Sequence, residues 1–159
     1  MNIYGYCRIS TAKQSIDRQI RNIKAEYPTA HIVQEAYTGT SIFRPEWLKL
    51  YRILKAGDLV VFDSVSRMSR NAEEGFALYE DLYHKGIRLV FLKEHHIDTE
   101  TYKKALSGSI AMTGTNVDFI LKGINEYLMA LAKEQIKLAF EQSEKEVADL
   151  HQRTREGLL

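Results

Sequence analysis

Asp58-Leu59-Val60-Val61-Phe62-Asp63 is a nearly continuous apolar run between acidic ends, and Ser64-Val65-Ser66-Arg67-Met68-Ser69-Arg70 follows it directly. A strand with one wet face alternates apolar and polar residues. A run without alternation is instead a strand covered on both faces, as in a parallel sheet. Working outward, β-prone runs lie at residues 2–7 and 31–37 before it and at 87–92 after it. Helical patterns fill the intervals. Ile16, Ile20 and Ile23 recur at steps of four and three, and Tyr27-Pro28 ends that pattern. Pro45 suits the first position of a helix running through Trp47, Leu50, Tyr51 and Leu54 to a cap at Gly57. Asn71 is placed to cap another, with Glu73 and Glu74 in its first turn, an apolar face of Phe76, Tyr79, Leu82 and Tyr83, and Gly86 at its end. The order β-α-β-α-β-α-β predicts an α/β fold, a mainly parallel sheet flanked by helices with right-handed crossovers.

Residues 93–113 carry no clear period, with Ser107-Gly108-Ser109 clustered within them. His95-His96 is expected to be a solvated loop and not a metal site, because adjacent histidines point apart on a strand and no partner spacing accompanies them. From about residue 116 to 156 the pattern is helical, without proline and with one glycine, Gly123. Such a helix extends about 60 Å, whereas a domain of the preceding length has a radius of gyration of about 13 Å. Either the helix breaks near Gly123, or it projects and packs its stripe of Ile124, Leu128 and Leu131 on a second subunit. The expected organisation is an α/β domain over 1–113 and a long oligomerisation helix over 114–159, in one structural unit.

The chain has 159 residues, 45% of them hydrophobic, enough for one core and too many for a disordered chain. One cysteine, Cys7, excludes a disulfide framework and a cysteine-rich zinc module, and is expected to be a small buried hydrophobe. No apolar stretch approaches the length needed to span a bilayer, and no signal sequence opens the chain, so no membrane partner and a cytoplasmic location are expected. The 22 Lys+Arg and 21 Asp+Glu leave a formal charge of +1, which argues against affinity for nucleic acid by bulk charge. The positive charge is nonetheless concentrated. Arg8, Lys13, Arg18, Arg21 and Lys24 face only Asp17 within residues 1–24.

In open parallel sheets functional groups gather beyond the carboxyl ends of the strands. The first strand delivers Arg8 and Ser10, whose i, i+2 spacing puts both on one side of an extended chain. The third delivers Ser66, Arg67 and Arg70, and a helical turn there would place the two arginines on one face. Guanidinium forks bind two nonbridging phosphate oxygens at once and keep their charge at any relevant pH. A serine hydroxyl among them is placed to attack a phosphodiester whose transition state they stabilise. No His/Asp/Glu metal cluster lies near these loops, so the guanidinium groups are expected to supply what Mg²⁺ supplies elsewhere. Two accounts stand on the residues alone: a phosphate site enclosing a hydroxyl, or surface arginines with Ser10 capping a turn.

Y-G-Y-C-R-I-S-T at 4–11, with Gln14 and Gln19 downstream, is similar to the amino-terminal signature of the serine recombinase family of resolvases, invertases and transposon integrases. The resemblance continues through T-G-T-S-I-F-R-P at 38–45, A-G-D-L-V-V-F at 56–62, S-R-M-S-R-N at 66–71 and Q-R-T-R-E-G at 152–157, in family order over nearly the whole chain. It implies that Ser10 cleaves DNA and forms a phosphoseryl link to the 5′ end, with Arg8, Arg67 and Arg70 clamping the scissile phosphate. It also implies that Arg44 is a further active-site arginine and that Gln14 and Gln19 flank the site. Strand exchange by transesterification needs no cofactor, in keeping with the lack of a P-loop or G-x-G-x-x-G. The implied partners are DNA and further copies of the chain, as dimers pairing into a tetramer through the long helix.

Departures from the family pattern are Ser66, where many members carry aspartate, Glu35 in place of aspartate, and Gln152 in place of glutamate. Either Glu144 or Glu146 corresponds to the family's helix glutamate. Residues 132–156 form a mixed-charge helix and no basic arm, so a DNA-binding domain is expected beyond residue 159, making this the amino-terminal part of a longer protein. The alternatives are a non-catalytic α/β oligomerisation module that binds phosphate or DNA, or a metal-independent nuclease.

Overall fold

Val60, Val61 and Phe62 are fully buried, as a strand sandwiched between two helical layers requires. The structure is a computed structural model. It describes residues 1–9, 13–36, 44–69, 71–107 and 113–155, and side chains for these apart from 9, 13–15, 105–107, 143–144 and 146–155. Four parallel strands, β1 (Ile3–Ile9), β2 (His31–Ala36), β3 (Leu59–Phe62) and β4 (Arg88–Phe91), pair in the order β2-β1-β3-β4. The helices are α1 (Lys13–Glu26), α2 (Pro45–Ile53), α3 (Val65–Met68), α4 (Ala72–His84), α5 (Thr99–Ser107) and α6 (Asp118–Arg155). The expected α/β class, strand order in the chain and parallel sheet are all present.

Alternation along β1 divides the core. Cys7 joins Ile16, Ile23 and Val61 beneath α1, while Tyr6 turns to the other face among Trp47, Phe62, Tyr79, Phe91 and Phe140. Pro45 opens α2, and Asn71 caps α4 by accepting from the Glu74 N–H at 3.0 Å.

Within the stretch from 93 to 113, the described residues 93–107 are less irregular than their sequence suggests. His95–Ile97 form a 3-10 turn, and α5 follows. The start of α5 is set by side chains that satisfy the outer edge of β4. The Leu89 N–H donates to Thr99 Oγ1 at 2.9 Å and the Phe91 N–H to Asp98 Oδ1 at 2.7 Å. Among the described side chains of α5, Tyr102 is buried. His95 is also not simply a solvated loop residue. Its Nδ1 lies 2.7 Å from Asp98 Oδ2, a hydrogen bond that holds the imidazole above its ordinary pKa.

Helix α6 runs through Gly123 unbroken, and the Asp118 carboxylate ties the preceding turn to its start by accepting from the Thr113 and Gly114 N–H groups at 2.8 and 2.9 Å. Among its described side chains, those buried in the core are Ile136, Ala139 and Phe140. Ile124, Leu128 and Leu131 stay 36–40% exposed, and Phe119 is 82% exposed.

Asp58 ties the start of β1 to the turn before β3, accepting from the Asn2 N–H at 3.0 Å and the Lys55 N–H at 2.9 Å. Burial pushes its pKa up, but these two bonds and the nearby amino terminus outweigh that and bring it below the usual value. A depressed folded-state pKa stabilises above the unfolded value of about 4 and loses that contribution as pH falls through the folded value. Asp58→Asn is therefore expected to flatten the acid limb of stability between about pH 5 and pH 2, measured as the urea midpoint against pH. An unchanged acid limb would remove Asp58 from that role.

Candidate active site

The sheet order reverses between β1 and β3, and the crevice beyond their carboxyl ends is where an open parallel sheet binds ligands. Arg8 stands at the end of β1 on the same side as Tyr6 and is 4% exposed. Gln19, fully buried on α1, treats Arg8 as a strand neighbour would. Its Oε1 accepts from the Arg8 N–H at 3.1 Å and its Nε2 donates to the Arg8 carbonyl at 3.0 Å. These bonds fix the backbone at the point where β1 hands the chain on toward residue 10.

Beyond β3, the single turn α3 sits where it does because Val65 and Met68 are buried in the core at i, i+3, leaving Ser66 and Arg67 on the crevice side. This turn links three arginines. Arg8 Nη2 donates to the Ser66 carbonyl at 2.6 Å, Arg67 Nη1 to the Arg8 carbonyl at 3.3 Å, and Arg44 Nη1 to the Met68 carbonyl at 2.6 Å. Ser66 Oγ lies 2.6 Å from Ser64 Oγ. α3 ends at Met68 and Ser69 is extended, so the helical turn that carries Arg67 stops at Met68. Ser10 and Arg70 lie outside the described residues, and Gln14 is on α1 with its side chain outside them too.

Two acids shape the site that spacing alone did not single out. Glu35, 1% exposed opposite Arg8 in the β1–β2 register, accepts from the Trp47 N–H at 2.9 Å and the Tyr6 hydroxyl at 3.3 Å. It thereby pins the first turn of α2, whose preceding residue is Arg44. Burial pushes the Tyr6 pKa up to about 12, Arg44 opposing the rise and Glu35 adding to it, so the hydroxyl stays a donor. Asp63 accepts from Asn22 Nδ2 at 2.9 Å and pairs with Lys93 at 3.4 Å. The sequence signal for both was a carboxylate within or ending a β-prone run. The Cys7 thiol is pushed up to about 12, by burial first and then by Asp63, which makes it an inert core group. Among the described residues, no group of three or more His, Cys, Asp or Glu is placed to hold a metal ion.

Residues 3–146 match the family model of the resolvase N-terminal domain. The chain belongs to the resolvase family of serine recombinases. This resolvase domain is 26% identical to the transposon Tn21 resolvase of Escherichia coli, over 96% of this chain and 83% of that one. It is 31% identical to a resolvase of Clostridium perfringens over 61% of this chain, which is 52% of that protein's length. The crystal structure of a resolvase family site-specific recombinase from Streptococcus pneumoniae aligns with it at a TM-score of 0.48 and 19% identity, over 98% of this chain and 99% of that one. Arg8 and Arg67 stand on either side of the switch point described above.

Proposed function

We propose that this domain cleaves and rejoins DNA at a specific site, with Ser10 as nucleophile. The observation that carries this is the joining of Arg8, Arg67 and Arg44 through one turn of helix at the strand end that leads directly to residue 10. In the proposed step the Ser10 Oγ–P bond forms, the bond from phosphorus to the 3′ oxygen breaks, the serine loses its proton and the 3′ hydroxyl gains one. The product is a 5′-phosphoseryl link. Arg8, Arg67, Arg70 and Arg44 neutralise the nonbridging oxygens as charge builds, without a metal ion. Gln19, Gln14 and Ser66 support the loops that carry them. Attack of a new 3′ hydroxyl reverses the step, so the energy of the DNA bond is kept and no cofactor is consumed.

The exposed residues Phe119, Ile120 and Tyr127 at the start of α6 are large and apolar, and in this reading they pack on a second copy. Two such dimers hold two DNA sites for exchange. No helix among the described residues is long and apolar enough to cross a membrane, and cytoplasmic DNA is the proposed substrate.

Incubating the full-length protein with a supercoiled plasmid bearing its recombination site, and quenching with detergent, is expected to trap a covalent protein–DNA adduct. Ser10→Ala is expected to abolish that adduct while leaving DNA binding intact. A parent protein that yields no adduct, or an adduct that persists in Ser10→Ala, would sink the proposal.

A further inference from the structure

We propose that Glu94 is a positioning residue for the arginine cluster, its carboxylate holding α3 in the place that presents Arg67. This rests on the recombinase reading of the same site. The strands β3 and β4 stay in step past their last paired residues. The Leu92 N–H donates to the Phe62 carbonyl at 3.0 Å and the Lys93 N–H to the Asp63 carbonyl at 3.1 Å. That brings Glu94 level with the start of α3, where Glu94 Oε2 accepts from the Val65 N–H at 3.1 Å. The stem of Glu94 is itself fixed. Its N–H donates to the Phe91 carbonyl and its carbonyl accepts from the N–H of buried Ile97, both at 3.1 Å.

A helix leaves its first N–H groups without intrahelical acceptors, and a serine at the cap position ordinarily supplies one with its hydroxyl. Ser64 occupies that position but makes no side-chain cap bond, its hydroxyl being paired with Ser66 Oγ. Glu94 supplies an acceptor from the turn that follows β4, and a carboxylate makes the stronger, charge-assisted bond. The other acids near the crevice have different tasks, Asp63 with Asn22 and Lys93, and Glu35 at α2. The consequence reaches beyond Val65, because the carbonyls of α3 hold Arg8 and Arg44 while its own side chain is Arg67. Moving this turn moves the seats of all three guanidinium groups. A carboxylate beside a site for a polyanion opposes binding, so its value lies in geometry and not in affinity.

The test compares Glu94→Gln, which keeps an acceptor at the same reach, with Glu94→Ala and with Glu94→Asp, which keeps the charge but shortens the reach. Adduct formation is timed on saturating site DNA, DNA affinity is measured separately, and hydrogen exchange is followed at the Val65 amide. Glu94→Ala and Glu94→Asp are expected to slow adduct formation by about 10- to 100-fold, the scale set by a misplacement of about 1 Å. Their DNA affinity should stay within about threefold and the Val65 amide should exchange faster. Glu94→Gln should keep a rate within about threefold of the parent, since the hydrogen bond survives. A parent that forms the adduct beside Glu94→Ala and Glu94→Asp variants that match its rate would overturn the role of Glu94 alone. So would a Glu94→Gln variant as slow as Glu94→Ala, or a loss confined to DNA affinity. A parent without any Ser10-dependent adduct overturns the recombinase reading itself.

Discussion

Replacing Arg67 by lysine is expected to slow covalent adduct formation by about 100-fold or more, with a thermal midpoint within a few degrees of the parent's. Lysine keeps the charge, so the expectation turns on geometry. A guanidinium fork has five donors in one plane and can serve a protein carbonyl and a phosphate oxygen together, whereas an ammonium is a point charge on a flexible stem. Arg67 already commits Nη1 to the Arg8 carbonyl, and a lysine spending its charge there would have no second, coplanar donor set for the phosphate. The fold should survive because α3 is held by Val65 and Met68, buried in the core, and not by Arg67. Single-turnover cleavage of site DNA, paired with a circular dichroism melt, measures both quantities. Cleavage at the parental rate would remove Arg67 from the phosphate clamp.

Phe140→Ala is expected to destabilise the domain by about 3–5 kcal/mol, the usual cost of deleting a buried aromatic ring. Phe140 is 2% exposed and meets Phe91 edge-on, at 6.4 Å between centroids and 83° between planes. It also rests directly on the backbone of α4. A Cβ added at Gly75 would lie 2.6 Å from the Phe140 ring, so glycine is what permits α4 and α6 to approach this closely. Gly75→Ala would ordinarily favour a helix by about 1 kcal/mol, but here it should destabilise, because the ring must move. The double variant Gly75→Ala/Phe140→Ala should then lose less stability than the two single changes added together, the methyl filling part of the space the ring leaves. Urea midpoints for the four proteins close that cycle. Strict additivity would mean that the two residues do not share this contact.

The β-α alternation was readable because each strand was bounded by turn residues and each early helix had its own stripe, as with Ile16, Ile20 and Ile23. Helix α5 was not, since its place depends on Thr99 and Asp98 reaching back to the edge of β4. At the site, the grouping of Arg8 with Arg67 followed from the strand ends, which the parallel topology brings together. The roles of Glu35 and Glu94 are bonds to backbone N–H groups of other elements, and no spacing within the sequence encodes such a partner. The expected common face of Arg67 and Arg70 involves a residue outside the described ones, and the helical turn that carries Arg67 ends at Met68.

The anchorage of α6 has a mechanical consequence. Among the described side chains the helix touches the core between Ala132 and Phe140, while the helix begins at Asp118. At 1.5 Å per residue the stretch from Asp118 to Ala132 is a lever arm of about 21 Å. A tilt of about 10° about that contact would swing the apolar tip at Phe119 by about 4 Å without bending any peptide between them.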